Sequence, residues 1–436
     1  MNIKECAPEK NGLKWLFLDL NSYFASVEQQ ENPKLIGKPV AVLPMMTDAT
    51  CAIAASYEAK AYGIKTGTKV YDAKKLCPQL QCVLARHGKY VEYHHKILEA
   101  TERCLPINKV WSIDEFDCQL MGKQKDPFHA AELAGRIKES IAHNVGSAVR
   151  CSIGIAPNSF LAKVATDIEK PNGLVILRPE ELPGRLLDLD LMDLPGINNA
   201  MLDRLYRARI TTIEALWNTS PKQCRAIWRS VQGERFWYWL HGYDVPYQTT
   251  NPSMLGHSRM LDPNMRHAEA TRQMARRLLF KACTRLRRKN LYAKRLCFKV
   301  RFIEGGGWAG EESFPAAQDP FSLLKHLDRL WERMIDECNI PVNLLSSKRM
   351  VFRKVSTLLF GLCEDGTITD DLFEQRLPQE KEQLQKQEKL ASALDHLQQK
   401  YEKEQVWLGV VPKTLAGHVG TKIAFSRVPD KDEFGY

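Results

Sequence analysis

The sequence predicts an α/β (α+β) protein: a mixed sheet with its chemistry along one edge, then a helical segment, then a small β-α-β-β-α-β unit with its helices on one face. Three observations carry this. Short apolar runs alternate with helical patterns as far as Gly173, and acidic residues end or interrupt two of those runs, at Asp19 and at Asp114-Glu115. Beyond Gly173 the pattern turns helical. Between Arg266 and Arg301 stand thirteen Lys or Arg against a single acid, Glu269, so this segment carries +12 while the whole chain carries +10.

The first element is the run at residues 14–20, Lys-Trp-Leu-Phe-Leu-Asp-Leu, whose aromatic and branched side chains suit a buried strand. Asn21 or Ser22 can cap the helix that follows, in which Tyr23, Phe24 and Val27 recur at helical spacing. Pro39 to Pro44 and Ala52 to Ser56 read as strands, and Tyr57 to Tyr62 as a helix stopped by Gly63. Asn108 to Ile113 is a strand broken by the acidic pair and continued by Phe116 to Leu120. Residues 128–144 read as a helix and Val149 to Ile155 as a strand. That strand leads through Pro157 and Asn158 into a helix from Ser159 to Ile168, which Lys170-Pro-Asn-Gly173 stops.

The helical segment runs through Leu186 and the turn Leu194-Pro-Gly-Ile197 to a helix from Ser220 towards Trp239. Gly242 to Leu255, with two prolines, Asn, Ser and Thr, has the composition of a linker. A long basic helix (His267 to Lys289) then precedes strands at Arg295 to Phe302 and around Ser313, a helix at Ser322 to Met334 and a strand at Met350 to Leu359. In the tail, Glu380 to Glu404, a helical stripe of Leu384, Leu390, Leu394 and Leu397 is expected.

Composition excludes several classes. A chain of 436 residues is long enough for two to four domains at about 150 residues each. No run approaches the roughly 20 uncharged apolar residues of a membrane span. Residues 1–14 carry Lys4, Glu5, Glu9, Lys10 and Lys14 and lack a secretory signal's apolar stretch, so a cytoplasmic, nucleoid-associated location is expected. The twelve cysteines contain no C-x-x-C pair, which speaks against a disulfide framework and a structural zinc site. The basic segment is the electrostatic footprint of a polyanion partner, because a merely solvated helix face mixes both signs.

Asp19 and Asp114-Glu115 are far apart in sequence, and a folded sheet can bring them together. Clustered carboxylates repel one another unless cations sit among them, and hard oxygen ligands suit Mg²⁺. That arrangement serves two-metal phosphoryl transfer. Strand-end carboxylates are more often solvated loop residues, so the motif needs its surroundings.

Those surroundings are specific. Leu18-Asp-Leu-Asn-Ser-Tyr-Phe-Ala-Ser-Val-Glu28, Ser56-Tyr-Glu-Ala-Lys60, Ser112-Ile-Asp-Glu115 and Gly154-Ile-Ala-Pro-Asn-Ser-Phe-Leu-Ala-Lys-Val-Ala-Thr-Asp167, with Lys170-Pro-Asn-Gly173, stand in the order and spacing of the Y-family DNA polymerases. Over residues 13–365 the chain resembles that family, nearest its UmuC, ImpB, MucB and SamB branch. The resemblance implies a right-handed polymerase. Its palm would be residues 1–27 and 84–175, its small fingers 28–83 and its helical thumb with a helix-hairpin-helix 176–243. A linker at 244–255 would join these to a βαββαβ little finger at 256–365, followed by a tail at 366–436.

Carried over position by position, the resemblance makes Asp19, Asp114 and Glu115 the catalytic carboxylates, holding two Mg²⁺ ions with the backbone carbonyl of Leu20. Phe24 matches the steric gate that leaves no room for a ribose 2′-hydroxyl, and Tyr23 lies beside it in the nucleotide site. Tyr57, Lys60 and Lys163 match contacts to the incoming triphosphate. Lys60 stands where many relatives carry Arg, which loses the bidentate fork, and Asn21 where many carry Asp. Gly196 and Asn198 match the thumb hairpin that holds a DNA phosphate, with Asn198 replacing a glycine and still able to adopt a left-handed conformation. Arg276, Arg277, Arg287, Arg288, Lys294, Arg295 and Lys299 fit the DNA-binding little finger. Thr369-Asp-Asp-Leu-Phe373 stands where the branch carries a sliding-clamp peptide, with Leu372 and Phe373 as its apolar end and its leading Gln missing.

The implied activity is template-directed, low-fidelity DNA synthesis across lesions from primer-template DNA and deoxynucleoside triphosphates, without proofreading. Implied partners are a sliding clamp and UmuD-like and recombinase proteins, with no membrane. Two other readings remain: a catalytically silent DNA-binding adaptor of a mutagenesis complex, and a cyclase or other palm-fold enzyme. The retained carboxylates speak against the first, the thumb hairpin and basic unit against the second.

Overall fold

A computed structural model describes residues 12–48, 50–248, 253–341, 343, 349–364, 378–401 and 428. The chain divides after Gln248 into two bodies.

The first body is built on a five-stranded sheet. Its central strand is β1 (Trp15–Leu20), followed by helix α1 (Tyr23–Glu31). The chain then makes a small three-stranded sheet from β2 (Val40–Leu43), β3 (Ala54–Ala55) and, after helices α2 (Tyr57–Lys60) and α3 (Val70–Leu76), β4 (Gln81–Leu84), in the order β3-β2-β4. Helix α4 (His87–Glu102) returns to the large sheet and leads into β5 (Ile107–Val110), β6 (Glu115–Gln119), α5 (Pro127–Asn144), β7 (Cys151–Ala156), α6 (Ser159–Ile168) and β8 (Leu174–Ile176). The large sheet has the order β5-β6-β1-β7-β8.

The alternation of strand side chains separates two cores. Leu16, Leu18, Phe116, Cys118, Ile153 and Ile155 pack with α4 and α5. On the other face, Phe17 joins Phe160, Leu161 and Val164 of α6 and the apolar side chains of α7 (Asn199–Arg207), α8 (Ile213–Trp217), α9 (Pro221–Trp228) and α10 (Val231–Leu240). Register sets the site: antiparallel pairing of β1 with β6 puts Asp19 opposite Glu115, and Leu20 N–H donates to the Asp114 carbonyl at 2.9 Å.

Local chemistry explains where the expected elements shift. Helix α4 has no counterpart in the sequence reading because its buried face is Tyr90, Tyr93, His94 and Thr101 as well as Val91 and Ile97, and Arg86 at its start provides no side-chain cap. The helix expected from Ser220 towards Trp239 is two helices: Arg229 takes the left-handed conformation at φ 53° and Ser230 caps α10. Asn198 is not left-handed. It sits at φ −106° and caps α7, its side chain accepting Met201 N–H at 3.0 Å, while Gly196 supplies the positive φ of 93°.

The second body has the order β9 (Met254–Met260), α11 (Ala268–Arg288), β10 (Leu291–Phe302), β11 (Gly307–Ala317), α12 (Pro320–Glu337) and β12 (Phe352–Phe360), with a short β13 (Cys363–Glu364) pairing β10. This is the expected β-α-β-β-α-β order, in a sheet ordered β11-β10-β12-β9. Leu296, Phe298 and Val300 face α11 and α12, and between them Arg295, Lys299 and Arg301 are exposed.

A helix at Pro378–Tyr401 packs in the same body. Of the expected leucine stripe, Leu394 is buried but Leu390 and Leu397 are exposed, and the side chain of Leu384 lies outside the described residues. The helix turns instead on Gln387, Ala391, Leu394 and Asp395, because Asp395 meets Arg287 at 2.6 Å and Gln387 meets Ser322. Among the described residues every cysteine is a free thiol, and no helix is long and apolar enough to cross a membrane.

Gly154 on β7 lets α6 lie directly on the sheet. A Cβ there would stand 2.0 Å from the Ala162 carbonyl oxygen and 2.7 Å from the Ala165 methyl. Gly154→Ala is expected to cost about 1–3 kcal/mol through forced separation of helix and strand, measured as a lower denaturant midpoint at unchanged slope.

Candidate active site

The site is the end of β1 and the segments that meet it. Asp19 is 6% exposed. An isolated carboxylate so buried would cost several kcal/mol, and two lysines answer it. Lys163, from the middle of α6, pairs with Asp19 and reaches Glu115 at 2.8 Å and Asp167 at 3.2 Å. Lys170, from the loop after α6, lies 2.9 Å from Asp19 and 2.6 Å from Asp167. Burial pushes the Asp19 carboxyl up, but the two ammonium groups outweigh it and hold it below the ordinary value. Lys163 moves the other way: burial disfavours its charge, yet Asp19, Glu115 and Asp167 together hold it protonated far above the usual lysine range.

Asp114 and Glu115 lack that full compensation. Burial holds the Asp114 carboxyl up, against the Ser112 hydroxyl that donates to it at 2.5 Å and with Asp19 nearby adding to the rise. Burial raises Glu115 as well, opposed by Lys163. Among the described residues no three Asp, Glu, His or Cys side chains converge into a ready metal cage. The space between Asp19 and Glu115 holds the Lys163 ammonium, so a positive charge is already accommodated there.

Phe24 follows the same strand end. Its half-buried ring stacks on Tyr90 of α4, centroids 4.4 Å apart and planes 12° apart. Tyr90 is fixed in turn: its hydroxyl donates to Glu28 at 2.8 Å, Arg86 forks the same carboxylate at 2.7 and 3.1 Å, and the Tyr23 hydroxyl donates to the Tyr90 carbonyl at 2.6 Å. One turn along α4, the His94 ring bonds the Ile113 carbonyl at 2.7 Å, steadying the turn that carries Asp114. Burial pushes His94 down to about 4, so it is neutral at physiological pH.

Tyr57 and Lys60 approach from the small sheet. The Lys60 ammonium lies 4.3 Å from the centre of the Tyr57 ring. Burial lowers the lysine and the positive charge of Lys170 lowers it further, while burial raises the Tyr57 phenol.

The sequence reading missed Lys170, Asn21, Tyr90 and His94 as parts of this site. Asn21 pins the Lys170 loop, accepting Asn172 N–H at 2.7 Å and donating to Ser152 at 3.1 Å. Its spacing from Lys170 in the chain gives no hint of this. Asp117, on the same sheet face as Glu115, is a different kind of buried carboxylate. It is 1% exposed and accepts from three neutral donors, Asn108, Trp111 and Ser159, at 2.9, 2.7 and 2.6 Å.

In the second body the expected cationic residues fall into two layers. On the helices, Arg276 is held by Asp328 at 2.5 Å and Arg287 by Asp395, Arg277 is half-buried and Arg288 is exposed. Lys294, Arg295 and Lys299 are exposed on β10. Leu372 and Phe373 lie outside the described residues.

Comparison with known proteins identifies the chain. Residues 18–167 match the model of the impB/mucB/samB family and residues 252–372 that of the impB/mucB/samB family C-terminal domain. DNA polymerase IV of Oceanobacillus iheyensis is 30% identical over 293 residues, 65% of this chain and 68% of the relative. The chain belongs to the impB/mucB/samB family of Y-family DNA polymerases. DNA polymerase IV of Moorella thermoacetica is 37% identical over 203 residues, 46% of this chain, and this match spans 50% of that relative's length. A Y-family DNA polymerase chimera built on Dbh has the same fold, with a TM-score of 0.65 at 23% identity, covering 81% of this chain and all of that one. The insertion ternary complex of Dbh DNA polymerase also superimposes, with a TM-score of 0.52 at 22% identity over 81% of this chain and all of that one. The matching family model carries the impB/mucB/samB name and the curated relatives are DNA polymerases IV, so the match shows the family and leaves the branch within it open.

In this family member the raised carboxyl of Asp114 has a thermodynamic sign. A carboxyl higher in the folded than in the unfolded state opposes folding once ionised; the penalty is absent below the unfolded value and grows as pH rises through the folded one. Asp114→Asn is therefore expected to raise the thermal midpoint at pH 7 in the presence of a chelator, with the gain gone by about pH 4, where the free carboxyl titrates. Thermal melts across that range check it.

Proposed function

We propose that this chain is a template-directed DNA polymerase of low fidelity that copies damaged templates by two-metal-ion nucleotidyl transfer. The observation that carries the reading is the register that sets Asp19 against Glu115, with Asp114 beside them, on a strand end reached by three lysines and Tyr57. The donor chemistry suits divalent cations: three carboxylates supply hard oxygens, and the Lys163 ammonium already sits between two of them. Asp19, Asp114 and Glu115, with the Leu20 carbonyl, would hold Mg²⁺, which when bound lowers the pKa of the primer 3′-hydroxyl and neutralises the triphosphate.

The chain's own residues do the rest. Lys163 from α6 and Lys60 and Tyr57 from the small sheet place positive charge and a hydroxyl where charge builds on the β- and γ-phosphates. The Phe24 ring, held flat by Tyr90, closes the space a 2′-hydroxyl needs. The five-stranded sheet serves as palm, the three-stranded sheet with α2 and α3 as fingers, and α7 to α10 as thumb, with the Gly196 turn and the Asn198-capped N-terminus of α7 towards a DNA phosphate. In the second body the exposed sheet face of Arg295, Lys299 and Arg301 is the duplex-binding surface, and Lys294 adds to it. Fingers this small reject mispairs weakly, which favours damaged templates over accuracy. A sliding clamp, a UmuD-like subunit and a recombinase filament are the partners this reading implies.

Two outcomes test it. Asp114→Ala or Glu115→Ala is expected to abolish primer extension with Mg²⁺ on undamaged and abasic templates while leaving primer-template binding within about twofold; extension by either variant at the wild-type rate sinks the mechanism. Phe24→Ala is expected to raise ribonucleotide incorporation by two or more orders of magnitude, since only steric exclusion discriminates there, as read from single-nucleotide insertion kinetics. Unchanged sugar discrimination rejects the gate.

A further inference from the structure

The Lys170 loop is more firmly built than the end of a helix requires. Asn172 N–H donates to Asn21 at 2.7 Å, Gly173 N–H to Ser152 at 3.2 Å, and Ser152 donates to the Glu169 carbonyl at 3.1 Å. From α5, Lys138 donates to the carbonyls of Asn172 and Gly173 at 2.7 and 2.9 Å, and Ile153 N–H to the Gly173 carbonyl at 3.0 Å. Every one of these bonds fixes backbone, and together they hold the loop from which Lys170 reaches the carboxylate site.

Lys163 and Lys170 answer Asp19 differently. Lys163 bridges Asp19 and Glu115 and its side chain is 18% exposed; Lys170 is 27% exposed and shares its ammonium between Asp19 at 2.9 Å and Asp167 at 2.6 Å. Release from Asp19 leaves Lys170 still paired with Asp167 at 2.6 Å; Lys163, which also touches Asp167 at 3.2 Å, stands between Asp19 and Glu115, so its departure would uncover both of those carboxylates. Lys60 and Asp114 are further charges close by: Lys60 feels both Lys170 and Asp19, and Asp114 feels Asp19 and Lys163.

We propose that Lys170 is a built-in counter-ion that neutralises Asp19 in the metal-free enzyme, competes with the divalent cation for that carboxylate, and withdraws onto Asp167 when the cation binds. Lys170 is thus a positioning residue, acting through Asp19. The inference rests on Asp19 being a cation ligand, as proposed above.

The test is Mn²⁺ binding to the full chain without nucleotide or DNA, followed by the electron paramagnetic resonance signal of free Mn²⁺. Removing a unit positive charge from contact with the ligand is expected to tighten Mn²⁺ by about tenfold in Lys170→Met, while Lys170→Arg stays within about twofold of wild type. Thermal melts give a second reading: Lys170→Met is expected to lose stability in EDTA and recover it in Mn²⁺, because the cation takes over the lost neutralisation. An unchanged or weaker Mn²⁺ affinity, or equal loss of stability with and without Mn²⁺, overturns the proposal while leaving Asp19 as a ligand. Mn²⁺ bound equally by wild type and Asp19→Asn removes the ligand assignment itself, and the counter-ion with it.

Discussion

An ionised carboxylate almost out of reach of water, at the end of the central strand, is the constraint around which the first body is arranged. Asp19 cannot be solvated there, so its charge must be met by the protein. Both compensating lysines come from one stretch of chain, α6 and the loop after it. That stretch must therefore lie across β1 and β7 at the closest distance the backbone allows, which is why β7 carries Gly154 under Ala162. The loop must also be held still, which Asn21, Ser152 and Lys138 do. Helix position, glycine and loop bonds are thus consequences of one buried charge.

Much of this was legible in the sequence because the signals are local. The strand-turn-helix around Asp19, the acidic break at Asp114-Glu115 and the helix at Ser159 each declare themselves within a few residues, and the family resemblance drew attention to Phe24, Tyr57, Lys60 and Lys163, whose roles stay proposals. What was not legible depends on polar atoms that meet across the fold. Helix α4 hides its period because Tyr90, Tyr93 and His94 are buried through their rings while they hydrogen-bond through their heteroatoms, to Glu28, Glu31 and the Ile113 carbonyl. Asn21 looks like a departure from the family pattern until the loop it holds, some 150 residues later, is in place. No periodicity reports a side chain whose partner is a distant backbone amide.

Charge counting shows the same limit from the other side. The run from Arg266 to Arg301 reads as +12 because its counter-charges lie elsewhere in the chain: Asp328 on α12 takes up Arg272 and Arg276, and Asp395 on the tail helix takes up Arg287. Those arginines tie the helical layer together. Strand alternation then sorts the remainder, because residues two apart on β10 share a face and Arg295, Lys299 and Arg301 fall opposite Leu296, Phe298 and Val300. The net charge of the segment points to a polyanion partner, but only the fold tells which of its cations are exposed.

The two bodies thereby solve one electrostatic problem in opposite ways. Around Asp19, lysines are brought to a carboxylate that cannot leave, and its charge is met before any ligand arrives. A cation entering the site exchanges one ion pair for another and does not create a charge in a dry pocket, so binding need not overcome the full desolvation cost of a naked carboxylate. On the sheet face of the second body the cations are exposed and unpaired by the helices beneath, and their attraction for phosphate acts through solvent, where salt screens it. Precision belongs to the first arrangement and tolerance to the second. The proposed function, placing a phosphorus atom over a template of varying shape, calls for both, and the two arrangements stand in different bodies of one chain.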